Sequence, residues 1–227
     1  MNPPRQAYSR VLQTLNNAAS DAGRPPPALL AVSKTQPPEA VAALARLGQR
    51  AFGENYVQEG VAKILSLADA GLEWHLIGHL QSNKAREAAE HFDWVQTVDR
   101  PKLVEALDRH RPPARGPLNV LLQVNIDDEA SKSGCAAEDV PTLAELVAQA
   151  PRLRLRGLMS IGAPHPDFER RRATFRRMRE LFDDLRQRHP EADTLSMGMS
   201  EDFALAIAEG ATMVRVGSAL FGPRTSR

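Results

Sequence analysis

Lys34 stands at the end of an apolar run, residues 28–34 (ALLAVSK), that predicts a buried strand. The chain contains 29 Lys and Arg residues, but only five are lysines, at positions 34, 63, 84, 102 and 132. An ammonium group at the edge of a core is partly desolvated, which lowers its pKa. Because a neutral amine attacks aldehydes, Lys34 is a candidate for covalent binding of an aldehyde. The alternative is a lysine that extends from the strand end into solvent.

Small and hydroxyl residues that suit a phosphate group follow the last two apolar runs. Ser200 precedes two acidic residues, a pattern that predicts a helix N-cap and by itself implies no ligand. Gly217 and Ser218 follow residues 212–216, the last strand-like run. A glycine at a helix start lets the backbone approach an oxyanion, and a serine adds a hydroxyl donor. We therefore expect a phosphate site at the helix starts that follow these two runs.

Arg215 is the third residue that could take part in chemistry. It lies between Val214 and Val216, so strand alternation places it on the same face as Met213 and Gly217. Arginine is rarely buried without a partner. We expect either an internal ion pair or a donor directed at a ligand beside the phosphate site.

Strand-like and helix-like patterns alternate along the chain and predict the elements that position these residues. The expected strands are residues 28–34, 51–54, 73–77, 93–97, 118–125, 155–159, 194–197 and 212–216. Strands separated by helices imply parallel pairing, and eight such units predict an α/β fold, the (β/α)8 TIM-like barrel. We expect residues 1–227 to form a single domain, with residues 1–22 as an extra N-terminal helix that packs on the barrel. The alternative, an open doubly wound sheet, is disfavoured because no glycine fingerprint follows the first strand.

Composition excludes several other classes of function. The arginines of residues 170–179 could contact phosphates, but the acids Glu169, Glu180, Asp183 and Asp184 interleave with them, so we interpret the stretch as a solvated, salt-bridged helix. With a net charge of +1 as well, we expect no nucleic-acid partner. We expect no membrane span, because no apolar run approaches about 20 residues. The N-terminus lacks a signal-like core, and Cys135 is the single cysteine, so we expect a cytoplasmic protein with an inert thiol. His75 and His79 lie four residues apart, but on a predicted strand and its exit rather than on a helix, and no cysteine or carboxylate cluster is nearby, so we expect no metal.

Several segments, in order from the first strand to the last, resemble the pyridoxal-phosphate homeostasis proteins, which are single-domain barrels similar to the N-terminal barrel of alanine racemase. The resemblance rests on residues 31–35 (AVSKT), 52–59 (FGENYVQE), 74–84 (WHLIGHLQSNK), 157–160 (GLMS), 195–200 (LSMGMS) and 213–222 (MVRVGSALFG). It covers nearly the whole chain and implies the cofactor pyridoxal 5′-phosphate (PLP), a form of vitamin B6.

The resemblance also implies a role for each of six residues. Lys34 matches the lysine that holds PLP as a Schiff base. Arg215 matches the arginine that faces the pyridine nitrogen, and Asn55 matches a pocket residue near the ring. The phosphate-binding positions are matched by Ser200, Gly217 and Ser218. We expect no catalytic residue among them.

The function implied is a cofactor-binding regulator that holds PLP, limits the free aldehyde and takes part in delivery to apo PLP-dependent enzymes. The alternative is a weak amino-acid racemase, for which Tyr56 could supply the second base. Arg215 disfavours racemase chemistry, because a guanidinium only donates and leaves the ring nitrogen unprotonated. We expect a monomer. Lys132 is interpreted as a solvated loop lysine, the alternative being an amine that releases the cofactor from Lys34.

Overall fold

The computed structural model describes residues 3–127, 133–162 and 165–222. Within them, eight parallel strands close into a barrel in chain order, and the last strand pairs with the first. The prediction of a (β/α)8 barrel is therefore confirmed, and the open sheet is excluded. Lys132 lies outside the described residues. The strands are β1 Ala28–Val32, β2 Ala51–Glu54, β3 Glu73–Leu76, β4 Trp94–Val98, β5 Leu118–Gln123, β6 Leu153–Met159, β7 Thr194–Met199 and β8 Met213–Val216.

Helices connect successive strands and cover the outside of the barrel. Of the α-helices that the structure describes, three start at proline, Pro3, Pro38 and Pro101, where a missing N–H costs little because the first turn has no intrahelical acceptor for it. The α-helices are α1 Pro3–Asp21, α2 Pro38–Ala45, α3 Val57–Ser66, α4 Ala85–His91, α5 Pro101–His110, α6 Val140–Gln149, α7 Phe168–Arg188, α8 Phe203–Ala208 and α9 Ser218–Phe221. No helix among the described residues has the length and apolarity that a membrane crossing requires.

The first helix packs where the barrel closes. Its apolar side chains Val11, Leu15 and Ala19 recur at four-residue spacing and are buried. They form part of the main hydrophobic core, and α1 lies against α2, α8 and α9. Nε of Arg24, just beyond α1, donates to the carbonyl oxygen of Ala208 at 3.1 Å.

The interior of the barrel is unusually polar. Side chains of β3, β4, β7 and β8 bond to one another although these strands are not all neighbours, so their contacts must cross the interior. The apolar residues there form small clusters separate from the main core, one of Leu30, Ile77 and Met213 and another of Trp94, Leu121 and Met159. A barrel interior filled mainly with branched aliphatic side chains is the common case.

Candidate functional site

All six predicted site residues line one cavity of about 810 Å³ at the carboxyl ends of the strands. They come from the segments after β1, β2 and β7 and from β8 and its helix: Lys34, Asn55, Ser200, Arg215, Gly217 and Ser218. Residues far apart in the sequence are therefore brought together, as the barrel prediction requires. Their individual roles toward a cofactor stay predictions.

Lys34 follows β1, and hydrogen bonds of its neighbours Ser33 and Thr35 fix the backbone on both sides of it. The sequence predicts a strand that extends to Lys34, but β1 ends at Val32, and Lys34 lies in the turn beyond it. Thr35, the next residue, has φ of 64°, a left-handed conformation that is uncommon for a β-branched residue. Its N–H donates to Oε1 of Glu59 at 2.6 Å, which stabilises this turn. Lys34 is half-buried at the edge of the cavity.

A buried ionic cluster contacts both neighbours of Lys34 and was not predicted from the sequence. Nζ of Lys63 donates to Oε1 of Glu54, to Oε1 of Glu59 and to the carbonyl oxygen of Ser33, each at 2.7 Å. The Ser33 hydroxyl also donates to Oε1 of Glu54 at 2.6 Å. Burial raises the pKa of Glu54, and the hydrogen bonds from Lys63 and Ser33 oppose that effect. The cluster fixes the residue that precedes Lys34.

The available sequence signal for this cluster was helical spacing. Lys63 shares the buried face of α3 with Val57 and Gly60, at three-residue intervals. A lysine on the core face of a helix needs a partner, since charged side chains are almost never buried unpaired.

Arg215 is buried and hydrogen-bonded to β7 and to the residue that follows β6. Its Nη1 donates to the Ser196 hydroxyl at 2.8 Å and its Nη2 to the carbonyl oxygen of Ser160 at 2.7 Å. Desolvation lowers the pKa of Arg215 to about 10, against the opposing charge of Asp202, so the guanidinium stays charged at neutral pH. Among the described residues no carboxylate forms an ion pair with Arg215, which disfavours the internal ion pair considered above. A guanidinium that borders a cavity suits a ligand atom that accepts hydrogen bonds.

The ends of β7 and β8 suit an anion. Gly217 immediately precedes α9, whose first N–H groups have no acceptor within the helix. A Cβ at Gly217 would lie 3.2 Å from the carbonyl oxygen and 3.4 Å from Cβ of Val32, so a side chain here would crowd β1. Ser218 is exposed at the start of α9, and Ser200 is half-buried after β7. The residues present thus fit a phosphate group.

The prediction that Ser200 caps the next helix is wrong. α8 begins at Phe203, and its N-cap position is Asp202 rather than Ser200. The Asp202 carboxylate accepts from the N–H of Met199 at 2.7 Å, and the N–H of Asp202 donates back to the carbonyl oxygen of Met199. This reciprocal turn extends the loop by two residues and leaves Ser200 at the cavity edge.

Asn55 follows β2 and is placed by a close backbone approach. A Cβ at Gly78 would lie 2.0 Å from the carbonyl oxygen of Asn55, so only glycine fits at position 78. Tyr56, the next residue, is 62% exposed and is not among the residues that line the cavity. The other tyrosine, Tyr8, belongs to α1. Neither tyrosine is therefore placed as a base in the site.

Other cavity residues were not predicted. Ile161, His165, Pro166 and Phe221 line it, and so does Arg171 of α7. The Arg-rich stretch was interpreted as salt-bridged and solvated, which Arg172 and Arg179 confirm through ion pairs to Glu209 and Asp183. Cys135 is buried, and desolvation raises its pKa to about 12. In the described part of the chain, no group of three or more His, Cys, Asp or Glu residues is placed to hold a metal ion.

Comparison with known proteins places the chain in a family. Residues 8–225 match the family model described as alanine racemase, N-terminal domain. The pyridoxal phosphate homeostasis protein of Pseudomonas aeruginosa is 54% identical over 226 residues, which are 99% of this chain and 97% of that protein. The protein of the same name from Escherichia coli K12 is 51% identical over 229 residues, 99% of this chain and 98% of that one.

A solved structure of a relative agrees with this placement. PipY of Synechococcus elongatus with PLP bound is 41% identical and superposes with a TM-score of 0.77, covering 91% of this chain and 98% of that chain. The predicted resemblance is confirmed. The chain belongs to the alanine racemase N-terminal domain family and, within it, to the pyridoxal phosphate homeostasis proteins.

Proposed function

We propose that this protein binds PLP as a Schiff base on Lys34 and takes part in the homeostasis of that cofactor. The observation that carries the proposal is that one cavity is lined by a lysine, a glycine–serine helix start and a buried arginine. These three features suit the aldehyde, the phosphate and the pyridine ring of one molecule. The names of the relatives and the PLP-bound structure of PipY support the same cofactor.

Each residue would then contact one part of the cofactor. The bound aldehyde supplies reversible covalent attachment to an amine, and Lys34 provides that amine. Gly217, Ser218 and Ser200 would bind the phosphate through backbone N–H groups and hydroxyls. Arg215 would donate to the pyridine nitrogen. Asn55 would lie beside the ring.

A regulator or carrier fits better than a racemase. The relatives are named for homeostasis rather than for a reaction. Tyr56, the candidate second base, is exposed and away from the lining of the cavity. Arg215 can only donate a hydrogen bond to the pyridine nitrogen, which then stays unprotonated, so the ring would be a weaker electron sink than one that faces a carboxylate.

The finer features of the proposal concern organisation and partners. We infer that residues 1–227 act as one PLP-binding domain, with residues 1–22 packed on the barrel, and that the protein is a cytoplasmic monomer. It would pass PLP to apo PLP-dependent enzymes, since a Schiff base with a lysine is exchangeable with another amine. The buried positions of Val11, Leu15 and Ala19 support the packing of the first helix.

The experiment is a titration of the purified protein with PLP, followed by visible absorption. Wild type and Lys102→Ala, which alters an exposed lysine of α5, should develop a saturable band. Lys34→Ala should develop none. Adding an apo PLP-dependent enzyme to the loaded protein should restore that enzyme's activity. Loss of optical rotation from L-alanine at a substantial rate would favour the racemase instead.

A further inference from the structure

A chain of hydrogen-bonded polar side chains crosses the interior of the barrel and ends at Arg215. Oε1 of Glu73 lies 2.9 Å from Nε2 of His75, and Nδ1 of His75 lies 2.9 Å from Nε2 of Gln96. Oε1 of Gln96 accepts from the Ser196 hydroxyl at 2.8 Å. That hydroxyl accepts in turn from Nη1 of Arg215 at 2.8 Å. We call these five residues the relay.

The relay connects opposite ends of the barrel. Glu73 is the first residue of β3, at the amino ends of the strands, and its side chain is 48% exposed. Arg215 lines the cavity at the carboxyl ends. His75, Gln96 and Ser196 between them are completely buried. Because these three side chains are fully buried, contacts with bulk solvent cannot replace their hydrogen bonds to one another.

The chemistry of Arg215 and Glu73, the two ends of the relay, fixes which group donates and which accepts in each hydrogen bond. A guanidinium only donates and an ionised carboxylate only accepts. Ser196 must therefore use its proton toward Gln96, whose amide nitrogen must then donate to Nδ1 of His75. The remaining ring proton of His75 lies on Nε2 and points to Glu73. Every donor in the relay faces away from the cavity.

Two further observations agree with this direction. Nε2 of Gln96 also lies 3.2 Å from Sδ of Met213, an atom that can only accept. Burial lowers the pKa of His75, so its ring carries one proton near neutral pH, and the hydrogen bond from His75 lowers the pKa of Glu73. The ring of His75 is stacked on that of Trp94 with centroids 5.0 Å apart, which fixes its plane.

The relay also restricts the guanidinium of Arg215. Nη1 is bonded to Ser196, and Nη2 to the carbonyl oxygen of Ser160, the residue after β6. Two terminal nitrogens bonded to different segments of the barrel fix the plane of the guanidinium. The directions of its remaining N–H groups are then fixed as well.

We propose that Glu73, His75, Gln96 and Ser196 are positioning residues for Arg215, so that a change at Glu73 alters the binding of the cofactor at the far end of the barrel. The inference rests on the proposed function, since Arg215 must face bound PLP. It adds a specific requirement: the carboxylate of Glu73 affects the binding of PLP although it lies outside the cavity. A polar core that only stabilises the fold would not transmit such a change.

The test compares Glu73→Gln with a matched control, Glu145→Gln. Glu145 of α6 is also a half-exposed partner of a buried histidine, with Oε1 3.5 Å from Nε2 of His189, and it is not part of the relay. The readouts are the absorption maximum of bound PLP and its rate of release. We expect Glu73→Gln to shift the maximum and to speed release roughly two- to tenfold, the effect of one altered hydrogen bond, and Glu145→Gln to change neither.

A second readout needs no cofactor. Nitrogen-15 NMR of the histidines in the PLP-free protein should show His75 protonated at Nε2 and unprotonated at Nδ1. Protonation at Nδ1 instead would overturn the direction of the relay. Ser196→Ala should change the His75 signals, because it removes the acceptor of Arg215 and the donor to Gln96.

The outcomes separate this inference from the proposed function. If wild type binds PLP and the two glutamate variants release it at the same rate with the same spectrum, the relay is only structural and the inference fails alone. If wild type binds no PLP, the proposed function fails and this inference with it. Thermal denaturation of Glu73→Gln, an exposed substitution that keeps side-chain size, establishes that the variant is folded.

Discussion

Nζ of Lys63 lies 2.7 Å from Oε1 of Glu54, and the side chains of both residues are almost completely buried. The same nitrogen donates to the carbonyl oxygen of Ser33, the residue before Lys34. The ion pair therefore fixes the backbone from which the proposed PLP-binding lysine extends. Removing one partner of a buried ion pair is strongly destabilising, because the other charge is left buried without a partner.

Lys63→Met should destabilise the protein strongly. The substitution leaves Glu54 buried without its partner, and breaking a buried pair in this way costs about 3–5 kcal/mol. The free energy of unfolding from urea denaturation measures the loss. Lys84→Met is the control, because Lys84 forms a half-exposed pair with Glu87. Pairs of that kind contribute about 1 kcal/mol or less, so equal losses in both variants would contradict the account.

Ser200→Ala combined with Ser218→Ala should weaken PLP retention and leave the fold intact. Each substitution removes a hydroxyl from the proposed phosphate site, and a hydrogen bond to a charged group contributes roughly 1.5–3 kcal/mol. Equilibrium titration by absorption measures the affinity. Ser20→Ala, on the exposed side of α1, should bind as wild type does. An unchanged affinity in the double variant would mean that the phosphate binds elsewhere.

Stability should fall as the pH drops below about 6.5, in part because of His75. Desolvation lowers the pKa of His75 from its ordinary value of 6.5, against the opposing effects of Glu73 and Asp93. The unfolded chain then takes up the proton more readily, so the stability present above 6.5 is lost as the pH falls, by at most about 1.4 kcal/mol per pH unit. His75→Asn should lack this part of the pH profile, whereas exposed His79→Asn should keep it. Parallel profiles for wild type and His75→Asn would exclude the effect.

Cys135 should resist alkylation in the folded protein. Burial raises the pKa of the thiol to about 12, so almost no thiolate exists at pH 8, and the thiolate is the reactive form. The chain has one cysteine, so iodoacetamide labelling gives an unambiguous mass change. We expect labelling in denaturant and none in its absence over the same period. Rapid labelling of the native protein would show that the thiol is accessible.

The fold was largely predictable because each strand carries a local signal. Apolar runs bounded by proline, glycine and polar residues mark strands such as β1 and β8, and barrel closure follows from eight such units. The cavity was predictable in the same way, since the ends of parallel strands meet at one face. Lys34, Arg215 and Gly217 are predictable from their positions at strand ends, and all three line the cavity.

The relay could not be predicted, because its contacts join distant residues, whereas the position of Lys63 on the buried face of α3 was the one signal for the ionic cluster. Gln96 and Ser196 are 100 residues apart, and each alone resembles an ordinary polar position in a strand. The prediction that Ser200 is the N-cap of the next helix was wrong for a local reason. Asp202 competes for the same turn through the N–H of Met199 and shifts the helix start to Phe203.

The most direct test of the central claim is to reduce the PLP-loaded protein with borohydride and map its peptides by mass spectrometry. Reduction converts a Schiff base into a stable secondary amine and so marks the lysine that held the cofactor. The account predicts the pyridoxyl mass on Lys34 in wild type. The mass on Lys63, Lys84, Lys102 or Lys132, with Lys34 unmodified, would contradict it.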